Sequence, residues 1–243
     1  MFLLLLYYQH RLTRNHDEER MMLPMQTTFA DVITNATTHL SNIDPIMRTT
    51  IALIGPCTLQ PDPDIFNALV DAIISQQISV KAADAIMARV RAALPDEQVT
   101  PENLALFDFE RLRSLGLSTP KARYMLNLLE HIQSGQLHLH LLEELEDEEI
   151  ITQLTAVKGI GRWTAEMCLI FTFGRPDVLP VDDLGFLEGI RAAYQLAERP
   201  SKREVRELGE QWRPYRTFAT WYMWALRRHM QANERTKTRI VSL

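Results

Sequence analysis

Two acids, Asp182 and Asp183, follow Leu179-Pro180-Val181, and the apolar run Leu184-Gly185-Phe186-Leu187 comes directly after them. The spacing predicts that they open a helix. A carboxylate at a helix start lies where the helix dipole favours negative charge. There it can stabilise positive charge on a reacting group or orient water. Upstream, Leu154 and Val157 end an apolar helix that runs into Gly159-Ile160-Gly161. A further helix is expected from Arg162 through Ala165, Leu169, Ile170 and Phe173. Two glycines around an apolar residue permit positive φ and close backbone approach, and Ile160 should plug the core between the two helices. The N–H groups at the start of the second helix form an anion site that suits a phosphate. Taken singly, a Gly-x-Gly turn is usually only a helix connection, and an Asp at a helix start is usually an N-cap. Their occurrence together, with aromatics nearby, points to chemistry. Trp163 follows the turn directly, and Trp212-Arg213-Pro214-Tyr215-Arg216-Thr217-Phe218-Ala219-Thr220-Trp221-Tyr222-Met223-Trp224 comes later.

The elements that must position these residues are helical. No stretch alternates as a strand does; glycine is sparse, at 9 of 243 residues, and Ala, Leu, Glu and Arg dominate the runs. The fold class expected is all-α. The length suits one large domain or two small ones sharing a core, and 46% hydrophobic content supports a packed interior. The net charge of -5 argues mildly against a nucleic-acid partner, but its distribution does not. Residues 1–150 hold 11 Lys+Arg against 21 Asp+Glu, whereas residues 151–243 hold 15 against 10. The basic part therefore carries the Gly-x-Gly turn. Two distant cysteines, Cys57 and Cys168, exclude a disulfide scaffold and a four-cysteine iron–sulfur cluster, and fit a reducing interior. No Asp/Glu/His cluster argues for a catalytic metal.

Along the chain, residues 1–24 read as a loosely ordered extension. Its apolar start is too short to span a membrane and lacks the marks of a signal peptide, and Met21, Met22 and Met25 offer alternative starts. Residues 27–55 read as helices broken by Gly55-Pro56 and Pro61-Asp62-Pro63. Phe66 to Ile74 reads as a buried helix, and Lys81 to Leu94 as an Ala-rich one. Between them stands Ser75-Gln76-Gln77-Ile78-Ser79, on its face a polar helix junction. Leu104 to Leu115 is expected to form one helix ending at Gly116, and Ser118-Thr119-Pro120-Lys121 to start the next. Leu137-His138-Leu139-His140 is expected to be an exposed loop. The acids Glu143 to Glu149 read as a solvated helix start before Ile150.

Leu154-x-x-Val157-x-Gly159-Ile160-Gly161-Arg162-x-Thr164-Ala165 resembles the helix-hairpin-helix motif of the base-excision DNA glycosylases, and Asp183 resembles that superfamily's catalytic aspartate. Trp212-x-Pro-Tyr215-Arg216-x-x-Ala219 resembles the alkylpurine branch, that of 3-methyladenine DNA glycosylase II, in a compact form without the N-terminal β domain. The resemblance implies a glycosylase domain over 25–235. One subdomain would be 63–173 and the other 25–62 plus 174–235, with the base-binding cleft between them. Asp183 would be catalytic and Asp182 a helix cap or supporting acid. Trp163, Met167 and Trp224 would line the base pocket, whereas Trp212, Phe218 and Trp221 read as core. Gln77, with Gln76 and Ile78 beside it, would be the wedge that fills the vacated stack. Gly159, Gly161, Arg162, Trp163 and Thr164 would meet the DNA phosphate. The carbonyls of Thr155, Val157 and Gly159 could hold a structural Na⁺ or K⁺; no cofactor is required. Gly116-Leu117 with Lys121 to Tyr124 resembles a second backbone-contacting turn.

The implied activity is hydrolysis of the N-glycosidic bond of alkylated purines such as 3-methyladenine and 7-methylguanine, with base flipping. Bifunctional members have a lysine where this chain has Trp163, so no lyase step is expected. Met167 stands where an aromatic would line the pocket, which bears on substrate range. The partners implied are double-stranded DNA and the enzymes that process abasic sites, with no membrane. The chain is expected to be a monomer, in the bacterial cytoplasm with the nucleoid or in a eukaryotic nucleus. Two other readings stay open: a same-fold enzyme for oxidised or deaminated bases, and a helical module that binds damaged DNA without catalysis.

Overall fold

A computed structural model describes residues 28–241, with side chains to residue 233; the extension read over residues 1–24 lies outside them. In chain order the α-helices are α1 (Phe29–Ile43), α2 (Pro45–Ile54), α3 (Ile65–Ser75), α4 (Val80–Ala93), α5 (Pro101–Leu104) and α6 (Phe109–Ser114). Then come α7 (Thr119–Gln133), α8 (Asp147–Ala156), α9 (Arg162–Phe171), α10 (Leu184–Ala193), α11 (Lys202–Glu210) and α12 (Arg216–Val241). Two short 3₁₀ helices, Pro95–Glu97 and Leu139–Glu144, complete the set, and no strand occurs among the described residues. The protein is all-α, as its composition and periodicity indicate.

The chain divides into two units, one of them Pro61–Phe173 and the other the segments on either side. In the central unit α3 is buried on every side: Leu69, Val70 and Ile73 are inaccessible, and Asp71 and Ser75 are buried with them. A helix apolar all round belongs inside, where each large aliphatic side chain contributes about 1.5–3 kcal/mol. Asp64 caps α3, its carboxylate accepting from the N–H of Asn67 at 3.0 Å, and Ser79 caps α4. The acidic run opens α8 as expected, through a capping box between Glu146 and Glu149.

Two expectations are corrected here. The Leu104–Leu115 stretch is not one helix. α5 ends at Leu104, with Ala105 as its C-cap, and Asp108, in an extended conformation, accepts from the N–H of Arg111 at 2.7 Å and caps α6. Leu137–His140 is an exposed loop only in part: His138 and His140 are exposed, but the 3₁₀ helix already begins at Leu139. Leu137 is buried and anchors the 3₁₀ helix that follows, whose Leu142 is also buried.

The other unit is built on α12. Gly189 of α10 lets that helix approach α12 closely, since a Cβ there would lie 2.4 Å from the Met223 carbonyl oxygen. Trp212, Phe218 and Trp221 are buried, as their core reading requires. A buried carboxylate, Asp44, organises the junction of α1 and α2. One oxygen caps α2 through the N–H groups of Ile46 and Met47. The other accepts from Trp212 Nε1 at 3.0 Å and from the Tyr194 hydroxyl. A buried acid so fully satisfied holds distant segments in register.

Candidate functional site

The turn after α8 is built as its two glycines suggest at one of them only. Gly159 has φ 101, and a Cβ there would lie 2.2 Å from Tyr124 Cγ, so the position admits glycine alone. Gly161 has φ −92 in an extended conformation, and nothing lies within 4 Å of where its Cβ would be. Its value is open space rather than backbone freedom. Ile160 and Val157 are buried beneath the turn, as the plug reading expects. Gly161 is the N-cap of α9, and no side chain caps that helix. The arrangement leaves the positive end of a ten-residue helix uncapped by any side chain.

The residues that follow differ in setting. Arg162 is ion-paired, with Nη2 2.5 Å from Glu148 Oε1 and Nε 3.1 Å from the buried Glu166. The hydrogen bond from Arg162 holds the Glu148 carboxyl below the usual range, and the guanidinium is pushed up in turn. Trp163 is half-buried, whereas Thr164 and Met167 are buried.

The Ser75–Ser79 junction is a tight turn rather than a plain helix break. Gln77 is exposed at φ 57, a left-handed conformation that non-glycine residues rarely hold. Ile78 is half-buried. Gln76 donates from Nε2 to the Gly159 carbonyl at 2.8 Å. Residues 83 positions apart thus place the wedge candidate beside the hairpin.

In the other unit Asp183 is the N-cap of α10 and is 1% exposed. Its Oδ1 accepts from the N–H of Phe186 at 2.6 Å and from Trp224 Nε1 at 2.8 Å. The cap is therefore Asp183 itself. The expectation that Asp182 caps the helix is corrected: Asp182 is exposed and ion-paired with Lys202. Trp224 is buried at 1% exposure, so its visible task is to hold the acid. Burial lowers the basicity of Arg227, while Glu188 and Asp183 oppose that shift.

The structure thus joins Gln76, Gln77 and the hairpin in one unit, and Asp183 and Trp224 in the other. It also shows that Lys121, which the family resemblance places in a backbone-contacting turn, is buried, as is Asp44, which sequence reading passed over. A lysine in an Ala-Arg-Tyr context and an Asp before Pro carry no sign of burial; only their partners distinguish them. Among the described residues no group of three His, Cys, Asp or Glu could hold a metal ion, and no helix is long and apolar enough to cross a membrane. Chemically, one unit offers a helix start with no side-chain cap beside an exposed glutamine, and the other an oriented carboxylate.

Residues 70–214 match the model of the HhH-GPD superfamily of base excision DNA repair proteins. A curated relative, DNA-3-methyladenine glycosylase 1 of Schizosaccharomyces pombe, is 38% identical over 197 residues, covering 79% of this chain and 86% of the relative. The solved structure of a 3-methyladenine DNA glycosylase from the same organism, in complex with abasic DNA, superposes with a TM-score of 0.69 at 37% identity, covering 78% of this chain and 95% of that one. The DNA-3-methyladenine glycosidase of Bacillus halodurans gives a TM-score of 0.73, also at 37% identity, over 79% of this chain and 88% of that one.

Proposed function

The chain belongs to the HhH-GPD superfamily of base excision DNA repair proteins, and from that premise we propose that it is a monofunctional glycosylase acting on alkylated purines of the 3-methyladenine and 7-methylguanine type in duplex DNA. The observation that carries the proposal is Asp183: a buried acid, oriented through one oxygen by its own helix and by Trp224. Asp44 is oriented in the same way by Trp212 in a structural role, so the functional reading of Asp183 rests also on its place in the Pro180-Val181-Asp182-Asp183 run that resembles the family's catalytic stretch.

Breaking the N-glycosidic bond leaves positive charge on the sugar. Asp183 stabilises that charge and orients the water that adds to C1′, while the base departs with the bonding electron pair. An N3- or N7-alkylated purine is already cationic and leaves as a neutral base, so no strong general acid is required. Trp163 offers an electron-rich face to such a cation. It has no amine to form a Schiff base, so the product is an unbroken strand with an abasic site. Trp224 supports the acid and, on the family resemblance, contributes to base stacking; Met167 replaces an aromatic and leaves a softer wall.

The hairpin binds a backbone phosphate through the N–H groups at the start of α9, and Gln77 enters the stack. The Val157 and Gly159 carbonyls each already accept one hydrogen bond, from the Ile160 N–H and from Gln76. Each carbonyl has a second lone pair, so with Thr155 they fit a monovalent cation that would steady the phosphate. The substrate places the protein with the chromosome, in a bacterial cytoplasm or a nucleus, and its product passes to enzymes that process abasic sites.

The test is single-turnover release of methylated bases from alkylated duplex DNA by wild type and Asp183→Asn. Asparagine still offers an oxygen to the Phe186 N–H, so the variant should fold. Wild type should release 3-methyladenine and leave strands that break only on alkaline treatment, and the variant should lose about 10²–10³-fold in rate. If wild type releases no base while binding abasic DNA, the protein is a lesion-binding module instead.

A further inference from the structure

Three residues of α7, each three positions from the next, hold the two turns that the proposed function assigns to DNA. Lys121 is 8% exposed, and its Nζ donates to the Ile74 carbonyl at 2.7 Å. Ile74 lies in the last turn of α3, where unpaired carbonyls favour a cation. The ring of Tyr124 occupies the space a Cβ on Gly159 would need. Asn127 accepts from the Lys158 N–H at 2.8 Å through Oδ1. The circuit is closed by Gln76, whose amide donates to the Gly159 carbonyl. It runs from α7 to the end of α3, on to the hairpin and back to α7.

Closure matters because each link spans a large sequence separation: 47 positions from Lys121 to Ile74, 31 from Asn127 to Lys158 and 83 from Gln76 to Gly159. No local propensity could fix these three distances. Lys121 in particular is a costly residue to bury; burial alone pushes its basicity down. A methionine would fill the same space without that penalty. The lysine is explained if the end of α3 must be held in place.

We propose that Lys121 and Asn127 are positioning residues that set the offset between Gln77 and the Gly159–Gly161 turn, so that the wedge enters the base stack at a fixed distance from the gripped phosphate. The inference rests on the reading of Gln77 as the wedge and goes beyond it by naming what aims it.

The experiment compares wild type, Lys121→Met, Asn127→Leu, Asn127→Asp and Gln77→Ala on two duplexes. One carries 7-methylguanine opposite cytosine. The other carries it opposite an abasic analogue, where little unstacking is needed. Fluorescence of a 2-aminopurine next to the lesion reports opening of the stack independently of excision. Lys121→Met and Asn127→Leu should slow excision from the paired duplex about tenfold and reduce the opening signal to match, while excision from the pre-opened duplex stays within about twofold. Asn127→Asp keeps the acceptor for the Lys158 N–H and should restore both. Equal losses on both duplexes would mean a merely structural role and overturn the proposal, as would wild-type behaviour of both variants. If Gln77→Ala leaves the opening signal intact, the wedge reading itself fails and the inference with it. A wild type that opens the stack but excises nothing would overturn the enzymatic reading, while the opening signal would still decide the role of α7.

Discussion

Trp224 shows how a residue typed as aromatic can act through its polar edge. Its ring is buried and its indole N–H meets the oxygen of Asp183 that also caps α10. Trp224→Phe keeps most of the apolar surface and deletes the donor. A hydrogen bond to a charged group contributes about 1.5–3 kcal/mol, so the unfolding free energy read from urea denaturation should fall by about that amount. The rate of base release should fall more than affinity for abasic DNA does, because the acid loses its orientation while the hairpin and wedge stay intact. Equal loss of both would show that Trp224 serves packing alone. Asp182 illustrates the opposite case. It neighbours the candidate catalytic acid in sequence, yet its ion pair with Lys202 keeps it at the surface.

At the scale of elements, the hairpin joins two helices through a turn whose glycines have different reasons to be there. Gly159 combines φ 101 with contact against Tyr124. Alanine there meets both backbone strain and overpacking, together costing about 2–5 kcal/mol. Gly161 is extended, with open space around it. Alanine there should cost about 0.5–1 kcal/mol, the difference between these residues at an N-cap. Denaturant unfolding of Gly159→Ala and Gly161→Ala checks this order. Duplex affinity should then fall in Gly161→Ala despite its near-native stability, because the new methyl group occupies the approach to the α9 N–H groups.

Across the whole molecule, a net charge of -5 coexists with a basic C-terminal part. The structure adds that one cation near the hairpin, Arg162, is engaged by Glu148 and Glu166. The Arg162–Glu148 pair is largely exposed and contributes under about 1 kcal/mol to stability. Because Glu148 titrates below its usual range, that contribution is present at neutral pH and disappears as pH falls through the lowered value. Its larger effect is on binding. Glu148→Gln should tighten duplex binding and steepen the salt dependence, by about 0.9 in the log–log slope if Arg162 then neutralises one phosphate. An unchanged slope would show that Arg162 does not reach the backbone.

Much of this was legible without coordinates. Apolar residues at helical spacing predict the helices of both units. The Leu-x-x-Val-x-Gly-Ile-Gly run marks the hairpin, because a turn between two packed helices constrains its local residue types. The resemblance of Pro180-Val181-Asp182-Asp183 to the alkylpurine branch pointed to Asp183 rather than Asp182. Other features had no local signal. One expected helix is broken between Leu104 and Phe109, where Asp108 caps the second piece, and an aspartate becomes a cap only when the backbone turns out to meet it. The burial of Lys121 and Asp44 and the indole on Asp183 involve residues far apart in the chain, and the open space at Gly161 depends on what packs around it. Residue type and spacing determine which local structures are affordable. Which buried polar group finds which partner is settled only when distant segments pack, because the cost of an unpaired buried group is incurred in the folded state alone.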